Sequence, residues 1–261
     1  MMALGGDGRA VHARFWCAWM RLLRRSAVWV ALVATSVLAG CAGQSLSPDA
    51  AKGIHRVAIV SAIGETVLMK NTPFFRWDMF EYAYPARDLG IDDFVKAQLA
   101  TQLAGRYEIV PVTYDPKSIE STGRLGEAVR KHVRGEPVDA YLVVARADVA
   151  FASTAVMAAG LGVIRGPVGS SYYAHAIYGI AIIDGKTYKE LAVDYGSNPG
   201  ESIFHGQLRG RPNEEVTEAY WREGEGALPE AQRQLLKPVF ERLISRSLPD
   251  LVRKLKLIPS A

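Results

Sequence analysis

The sequence predicts an α/β protein in which helices pack on a mixed, partly parallel sheet to form a single sandwich that ends in C-terminal helices. Three observations predict this class. Short apolar runs typical of buried strands recur along the chain. Amphipathic segments lie between the early runs at spacings that suit right-handed parallel crossovers. An apolar stripe at helical spacing follows the last strand. A chain of 261 residues, 49% hydrophobic and 22% charged, is long enough for a substantial core and excludes a disordered class.

The first elements are a pair of strands and a helix. Arg56–Ser61 reads as a buried strand, and Gly64-Glu65 is expected to turn the chain back into a hairpin partner over Thr66–Met69. Apolar residues then recur at helical spacing over Ile91–Ala104, and Gly105 follows as a C-terminal cap.

The later elements continue the alternation. Asp184-Gly185-Lys186 predicts a tight hairpin turn between two long strands. The elements are strands over Tyr107–Val112, Ala140–Ala145, Tyr172–Ile183 and Thr187–Tyr195, and helices over Leu125–Val133, Leu235–Ile244 and Pro249–Leu257.

The net charge is confined to the N-terminus. The chain has a formal charge of +4, and residues 1–40 carry five arginines against the single acidic residue Asp7. The rest of the chain is therefore balanced, which removes the main support for a basic nucleic-acid-binding domain. No nucleic-acid partner is expected.

The N-terminal segment has the pattern of a secretory signal. A basic stretch over Arg21–Arg25 precedes an apolar run of 12 residues over Ala27–Leu38. A signal core is typically ~7–15 residues and a spanning helix needs ~20, so the run suits a removable signal. It ends in Leu38-Ala39-Gly40-Cys41, which resembles the lipobox of bacterial lipoproteins.

The lipoprotein resemblance implies a processed and acylated chain. Cleavage between Gly40 and Cys41 would remove a signal peptide over residues 1–40, whose true start is compatible with Met20. The Cys41 thiol would carry a diacylglycerol and the new amino terminus a fatty acid such as palmitate. Ala42 follows, where an aspartate tends to retain lipoproteins in the inner membrane, so the resemblance implies a periplasm-facing protein of the outer membrane. We expect a lipidated tether over 41–53 and one periplasmic domain over 54–258.

The order of elements in the mature chain resembles small α/β domains of periplasmic lipoproteins. The similar proteins are the curli secretion lipoprotein, the lipoprotein activators of penicillin-binding proteins and the amino-terminal domain of the Tol-system propeller protein. This resemblance implies a role in binding or assembly within the cell envelope.

The sequence contains no motif for a metal, cofactor or nucleotide. The mature histidines are isolated from one another and do not form the i, i+4 pair of a helical zinc site. Gly160 and Gly162 approach a dinucleotide fingerprint, but Arg165 occupies its third glycine position. We therefore expect no metal site, no cofactor and no nucleotide. The histidines are His55, His132, His175 and His205.

Two segments remain as candidates for contact with a partner. Residues 149–183 contain one formally charged side chain, Arg165, and read either as a membrane-inserting hairpin or as a buried central hairpin of the sheet. Residues 74–84 are rich in aromatic rings and read either as a partner-binding loop or as a loop packed over the core. The rings are Phe74, Phe75, Trp77, Phe80, Tyr82 and Tyr84.

No reaction is specified by these residues. The function favoured is a non-catalytic envelope lipoprotein, held at the membrane by Cys41, that binds an envelope protein or a glycan. The alternatives are a hydrolase-like periplasmic enzyme with dispersed site residues and a subunit of a secretion or pore assembly. If His175, His205, Asp184 and Asp194 converge in one cleft, the enzyme is favoured, whereas their separation favours the binding module.

Overall fold

The fold is built around one long strand shared by two halves of a sheet. A computed structural model describes residues 44–71, 80–119, 124–150, 157–166, 171–196 and 210–258. The strands are β1 (Arg56–Ala62), β2 (Thr66–Asn71), β3 (Phe80–Pro85), β4 (Glu108–Ile109), β5 (Val112–Thr113), β6 (Arg134–Gly135), β7 (Ala140–Arg146), β8 (Asp148–Ala150), β9 (Met157–Arg165), β10 (Tyr172–Asp184), β11 (Glu190–Tyr195) and β12 (Asn213–Val216). The helices are α1 (Pro48–Lys52), α2 (Ile91–Leu103), α3 (Leu125–His132) and α4 (Glu230–Lys254).

The 13-residue strand β10 belongs to both halves. In the first half the order is β4-β1-β7-β10-β11, with β1 parallel to both β4 and β7. In the second half the order is β3-β2-β9-β10-β12, with β2 parallel to β9. The prediction of an α/β fold with a mixed, partly parallel sheet is therefore confirmed.

The connection between β1 and β2 is not the hairpin turn that the sequence suggests. Both β7 and β9 run antiparallel to β10, so they share one direction. Because β1 is parallel to β7 and β2 is parallel to β9, β1 and β2 also run in the same direction. Gly64 and Glu65 therefore carry the chain onward from the first half into the second, and the hairpin prediction is wrong.

Alternate residues of the strands face two different cores. On one face Val57, Leu142 and Ile180 join a large core that α2 and α4 cover. On the opposite face of the first half, Val60 and Val143 pack with Val129 of α3. The period of two along each strand explains why these strands read as unbroken apolar runs.

The final helix is continuous, where the sequence predicts a break before a short helix at Pro249. Pro238 and Pro249 both lie inside the 25 residues of α4. An interior proline removes one backbone hydrogen bond. Burial of each large side chain in the apolar stripe contributes ~1.5–3 kcal/mol, and the sum over the stripe outweighs this loss. The stripe comprises Leu236, Val239, Phe240, Leu243, Ile244, Leu248, Leu251 and Val252.

Residues 44–53 are part of the domain, although the sequence predicts a tether there. Gln44 and Val193 exchange both backbone hydrogen bonds, at 2.8 and 2.9 Å. Leu46 is fully buried in the large core. The Ser47 hydroxyl caps α1 by accepting a hydrogen bond from the Ala50 amide at 3.2 Å. The sequence signal was the Ser47-Pro48 pair, a preferred N-cap followed by proline at the first helical position.

Candidate functional site

A groove on the α3 side of the sheet is the candidate site. Its volume is about 380 Å³. It lies across β7, β10 and β11 at the point where α3 begins. The lining residues are Leu125, Ala145, Arg146, Ala147, Asp148, Gly179, Ala181, Glu190, Val193 and Tyr195.

Small side chains in the middle strands form the floor of this groove. Ala145 of β7 lies opposite Gly179 of β10, and Gly179 lies opposite Tyr195 of β11. A Cβ atom on Gly179 would lie 2.9 Å from the Tyr195 ring, so the glycine is what allows that ring to lie against the sheet. The groove therefore follows from a row of residues too small to fill the space above the sheet.

The sides of the groove carry charge and one exposed ring. The groove is lined by Arg146, Asp148, Glu190 and Tyr195. Among the described residues, Tyr195 is the large hydrophobic side chain that is exposed to solvent, at 40%. The Arg211 guanidinium lies 5.4 Å from the centroid of the Tyr195 ring, within cation–π range. Partial desolvation raises the pKa of the Glu190 carboxyl. This mixture of one cation, two anions and an aromatic surface suits a polar ligand or a polar segment of a partner.

The groove was not predicted from the sequence. The signal that could have indicated it is the row of Ala145, Gly179 and Ala181 in strands that are otherwise rich in large apolar residues. Which small residues lie opposite one another depends on strand register, and single-sequence patterns do not fix register.

His175 is buried in the second half of the sheet and does not reach the lining of the groove. It is 1% exposed, and its Nδ1 lies 3.1 Å from the Gly160 carbonyl oxygen. That oxygen can only accept, so Nδ1 carries the proton and donates. Burial lowers the pKa of His175 to about 4, which keeps the imidazole neutral at pH 7.

The glycine pair that approaches a dinucleotide fingerprint holds this histidine in place. Gly160 supplies the carbonyl and has a φ of 60°, in the left-handed region. A Cβ atom on Gly162 would lie 2.8 Å from Nε2 of His175 and would overlap the carbonyl oxygen of Leu68. Both glycines are therefore explained by close packing within the sheet.

Of the four side chains whose convergence would favour an enzyme, the described members are separated. Asp184 lies nine positions from His175 along β10, roughly 30 Å at ~3.3 Å per residue. Its carboxylate accepts hydrogen bonds from the Thr187 amide and hydroxyl, at 2.6 and 2.7 Å, and so stabilises its own turn. Asp194 accepts from the Tyr195 amide at 2.7 Å. His205 lies outside the described residues.

The described part of the chain contains no cluster of side chains that could bind a metal ion. No group of three or more His, Cys, Asp or Glu side chains comes together there. No helix of those residues is long and apolar enough to cross a membrane.

The two carboxylates at the start of α2 have different roles. Asp92 accepts hydrogen bonds from the Ser61 hydroxyl at 2.7 Å and from the amides of Ile63 and Gly64 at 2.9 and 3.2 Å. Asp93 is 82% exposed and pairs with Lys96. Asp92 therefore fixes the link between β1 and β2, a role that its position in the helix did not reveal.

The aromatic segment is a strand where it is described. Phe80, Tyr82 and Tyr84 alternate along β3, which pairs with β2. Tyr84 is fully buried, and its hydroxyl donates to the Gly224 carbonyl at 2.5 Å. Phe80 and Tyr82 pack against the large core. These three rings therefore lie on a strand and not in a loop, and their alternation turns them toward the core, where Phe80 and Tyr82 are partly buried. This arrangement matches the alternative of rings packed over the core, and a role of the segment in binding a partner stays a prediction.

The remaining rings and the lipidation site lie outside the described residues. These are Phe74, Phe75 and Trp77, together with the predicted signal peptide, its cleavage site at Gly40 and the anchor Cys41.

The apolar stretch 149–183 supplies two interior strands of the sheet where it is described. Leu161 and Val163 of β9, and Ala174 and Ile180 of β10, are fully buried. Both strands have neighbours on either side. These segments match the alternative of a central buried hairpin.

Comparisons with known proteins show a likeness to solved structures but not to known sequences. No protein-family model and no curated protein sequence matches the chain. The fold aligns with the crystal structure of a Xanthomonas campestris protein of family DUF330, at 10% sequence identity and a TM-score of 0.33, over 76% of this chain and 83% of that one.

Proposed function

We propose that the protein is a cell-envelope lipoprotein whose α/β domain binds an envelope protein or glycan without catalysing a reaction. The observation that carries the proposal is Leu38-Ala39-Gly40-Cys41 at the end of a 12-residue apolar run preceded by arginines. The cysteines are Cys17 and Cys41, so the mature chain would hold one thiol, and acylation would consume it.

The described residues support a binding role over a catalytic one. His175 is neutral and buried, and Asp184 and Asp194 hydrogen-bond within their own turns or strands. The groove, by contrast, offers Asp148, Glu190 and the exposed ring of Tyr195 to a ligand. Exposed aromatic rings with nearby charge are typical of interaction sites.

Lipidation is tested by changing Cys41→Ser in cells fed a labelled fatty acid. The native chain should take up label and fractionate with the outer membrane. The Ser variant should remain unprocessed and unlabelled, since a hydroxyl does not replace the thiol as the acceptor. Label on the Ser variant would refute the assignment of Cys41.

Binding in the groove is tested by placing a photo-crosslinking amino acid at Tyr195. The matched control carries the same amino acid at Arg130, an exposed residue of α3. We expect a defined crosslinked product from position 195 only, and Glu190→Lys should abolish it. Equal products from both positions would contradict a binding site in the groove.

A further inference from the structure

The first described residues hold the start of the domain in a fixed place. Gln44 extends the sheet beyond the outer edge of β11 through its two hydrogen bonds with Val193. Leu46 is buried, and its amide donates to the Leu255 carbonyl at 3.4 Å. The chain is therefore anchored to the domain from residue 44 onward.

The covalent chain then limits how far an acylated cysteine can be from this point. Three peptide units separate Cys41 from Gln44. Consecutive Cα atoms are ~3.8 Å apart, so the two Cα atoms are separated by about 11 Å at most. Acyl chains on Cys41 would be buried in the bilayer, which leaves the domain almost no freedom to move away from the surface.

We propose that the end of the domain formed by Gln44, α1 and residues 250–256 around the end of α4 lies directly on the membrane, with the bilayer surface as its partner. We call this region the anchor end. The inference rests on the lipidation of Cys41 proposed above. It goes beyond that proposal because it fixes which face of the domain meets the lipid.

The charge of the anchor end suits an anionic bilayer. Asp49 forms an exposed ion pair with Lys52, and the partly buried Asp250 pairs with Arg253 and Lys254, whose own side chains are exposed. Ion pairs at the surface contribute ~0–1 kcal/mol, and these exposed cations can also approach lipid phosphates. Basic residues near an anionic surface contribute ~1 kcal/mol each. The basic side chains outnumber the acidic ones and are Lys52, Arg253, Lys254 and Lys256.

Helix α4 gives the distance to the opposite end of the domain. Its first turn lies beside Trp221, whose carbonyl accepts a hydrogen bond from Gln232 at 2.6 Å. Its 25 residues rise ~1.5 Å each, so the Trp221 end is about 37 Å from the anchor end. The two ends are therefore distinguishable by any probe of proximity to lipid.

The same orientation places the candidate groove near the membrane. Val193, the residue paired with Gln44, also lines the groove. A ligand of the groove would therefore bind close to the bilayer surface.

The experiment uses the mature lipoprotein reconstituted in vesicles of phosphatidylethanolamine and phosphatidylglycerol. Acylation consumes the Cys41 thiol, so a single new cysteine can carry a fluorophore. Lys52→Cys places it at the anchor end, where the native side chain is 78% exposed, and Glu225→Cys places it in the exposed loop beyond Trp221. A lipid with a spin label on its headgroup serves as the short-range quencher.

We expect loss of fluorescence from residue 52 and no loss from residue 225. Circular dichroism of both labelled proteins checks that the fold is intact, and mass spectrometry reports the acyl chains independently. Acylated protein with equal quenching at both residues, or stronger quenching at 225, would overturn the orientation alone. Protein that carries no lipid on Cys41 would overturn the proposed function, and with it this inference.

Discussion

A buried pair of hydroxyl groups joins α4 to β10 and allows a prediction about the stability of the core. The Tyr178 hydroxyl lies 2.6 Å from Oγ of Ser247, and both residues are at most 1% exposed. Ser247 has one hydroxyl hydrogen and donates it to the Leu243 carbonyl at 2.9 Å. Tyr178 must therefore be the donor to Ser247. Burial raises the pKa of Tyr178, so its hydroxyl keeps that proton throughout the ordinary pH range.

The two single substitutions should differ in cost because they leave different groups unpaired. Ser247→Ala leaves the Tyr178 hydroxyl without a hydrogen-bond partner in the core, and an unsatisfied buried donor costs ~1–3 kcal/mol. Tyr178→Phe removes that donor, while Ser247 still donates to Leu243, so we expect a loss of about 1 kcal/mol. The double variant removes both hydroxyls and should be more stable than Ser247→Ala alone.

The assay is urea unfolding of the purified protein, monitored by circular dichroism, for the native chain, both single variants and the double variant. The free energies of unfolding form a double-mutant cycle. The decisive comparison is the effect of Tyr178→Phe in the Ser247→Ala background, where it should be stabilising. If the two losses add, the hydroxyls are not coupled and the assignment of donor and acceptor is wrong.

Three further predictions concern buried polar groups and close packing. The pKa of His175 is about 4 in the folded protein and ~6.5 in the unfolded chain, so protonation favours unfolding. The stability gained from the neutral, buried imidazole is fully present above pH 6.5 and is lost as pH falls toward 4, by at most about 3 kcal/mol. Urea midpoints measured against pH should show this loss, and His175→Gln should flatten the slope. Gly162→Ala should cost ~1–3 kcal/mol through overlap with the facing strand, whereas Gly53→Ala, whose nearest neighbour is 3.8 Å away, should change thermal stability by less than ~0.5 kcal/mol. Asp92→Ala should lower the free energy of unfolding by about 2–3 kcal/mol because it leaves three donors without an acceptor, and Asp93→Ala should be nearly neutral. Equal losses would contradict the separate roles of the two carboxylates.

Local chemistry was sufficient to predict most elements of the fold. Apolar runs identified β1, β7 and β10, and helical spacing identified α2 and α3, each to within a few residues. The turn at Asp184 was correct because an aspartate followed by glycine stabilises a reversal by itself, through side-chain hydrogen bonds to the next amides. These features depend on neighbours in sequence, so the sequence reveals them.

The features that were missed depend on partners far away in sequence. Gly64 looks like a turn residue, yet the chain continues forward there because Asp92, on another element, binds the amides of Ile63 and Gly64. Tyr84 looks like a loop aromatic, yet its hydroxyl is satisfied by Gly224, 140 residues later. Asp92 and Gly224 give no local sign of these contacts.

Because Gln44 is hydrogen-bonded to the sheet, the chain between Cys41 and the domain is much shorter than the tether that the sequence predicts. A flexible tether over 41–53 would let the domain explore tens of ångströms, at ~5–6 Å × √n for n residues. With the domain beginning at residue 44, at most two residues, Ala42 and Gly43, separate it from the proposed lipid anchor. If Cys41 is acylated as proposed, a domain on so short a link would stay at the membrane surface and could not search the periplasm for a partner. Under that proposal a partner would come to the membrane surface or reside there, and the groove beside Val193 would offer it charged and aromatic side chains.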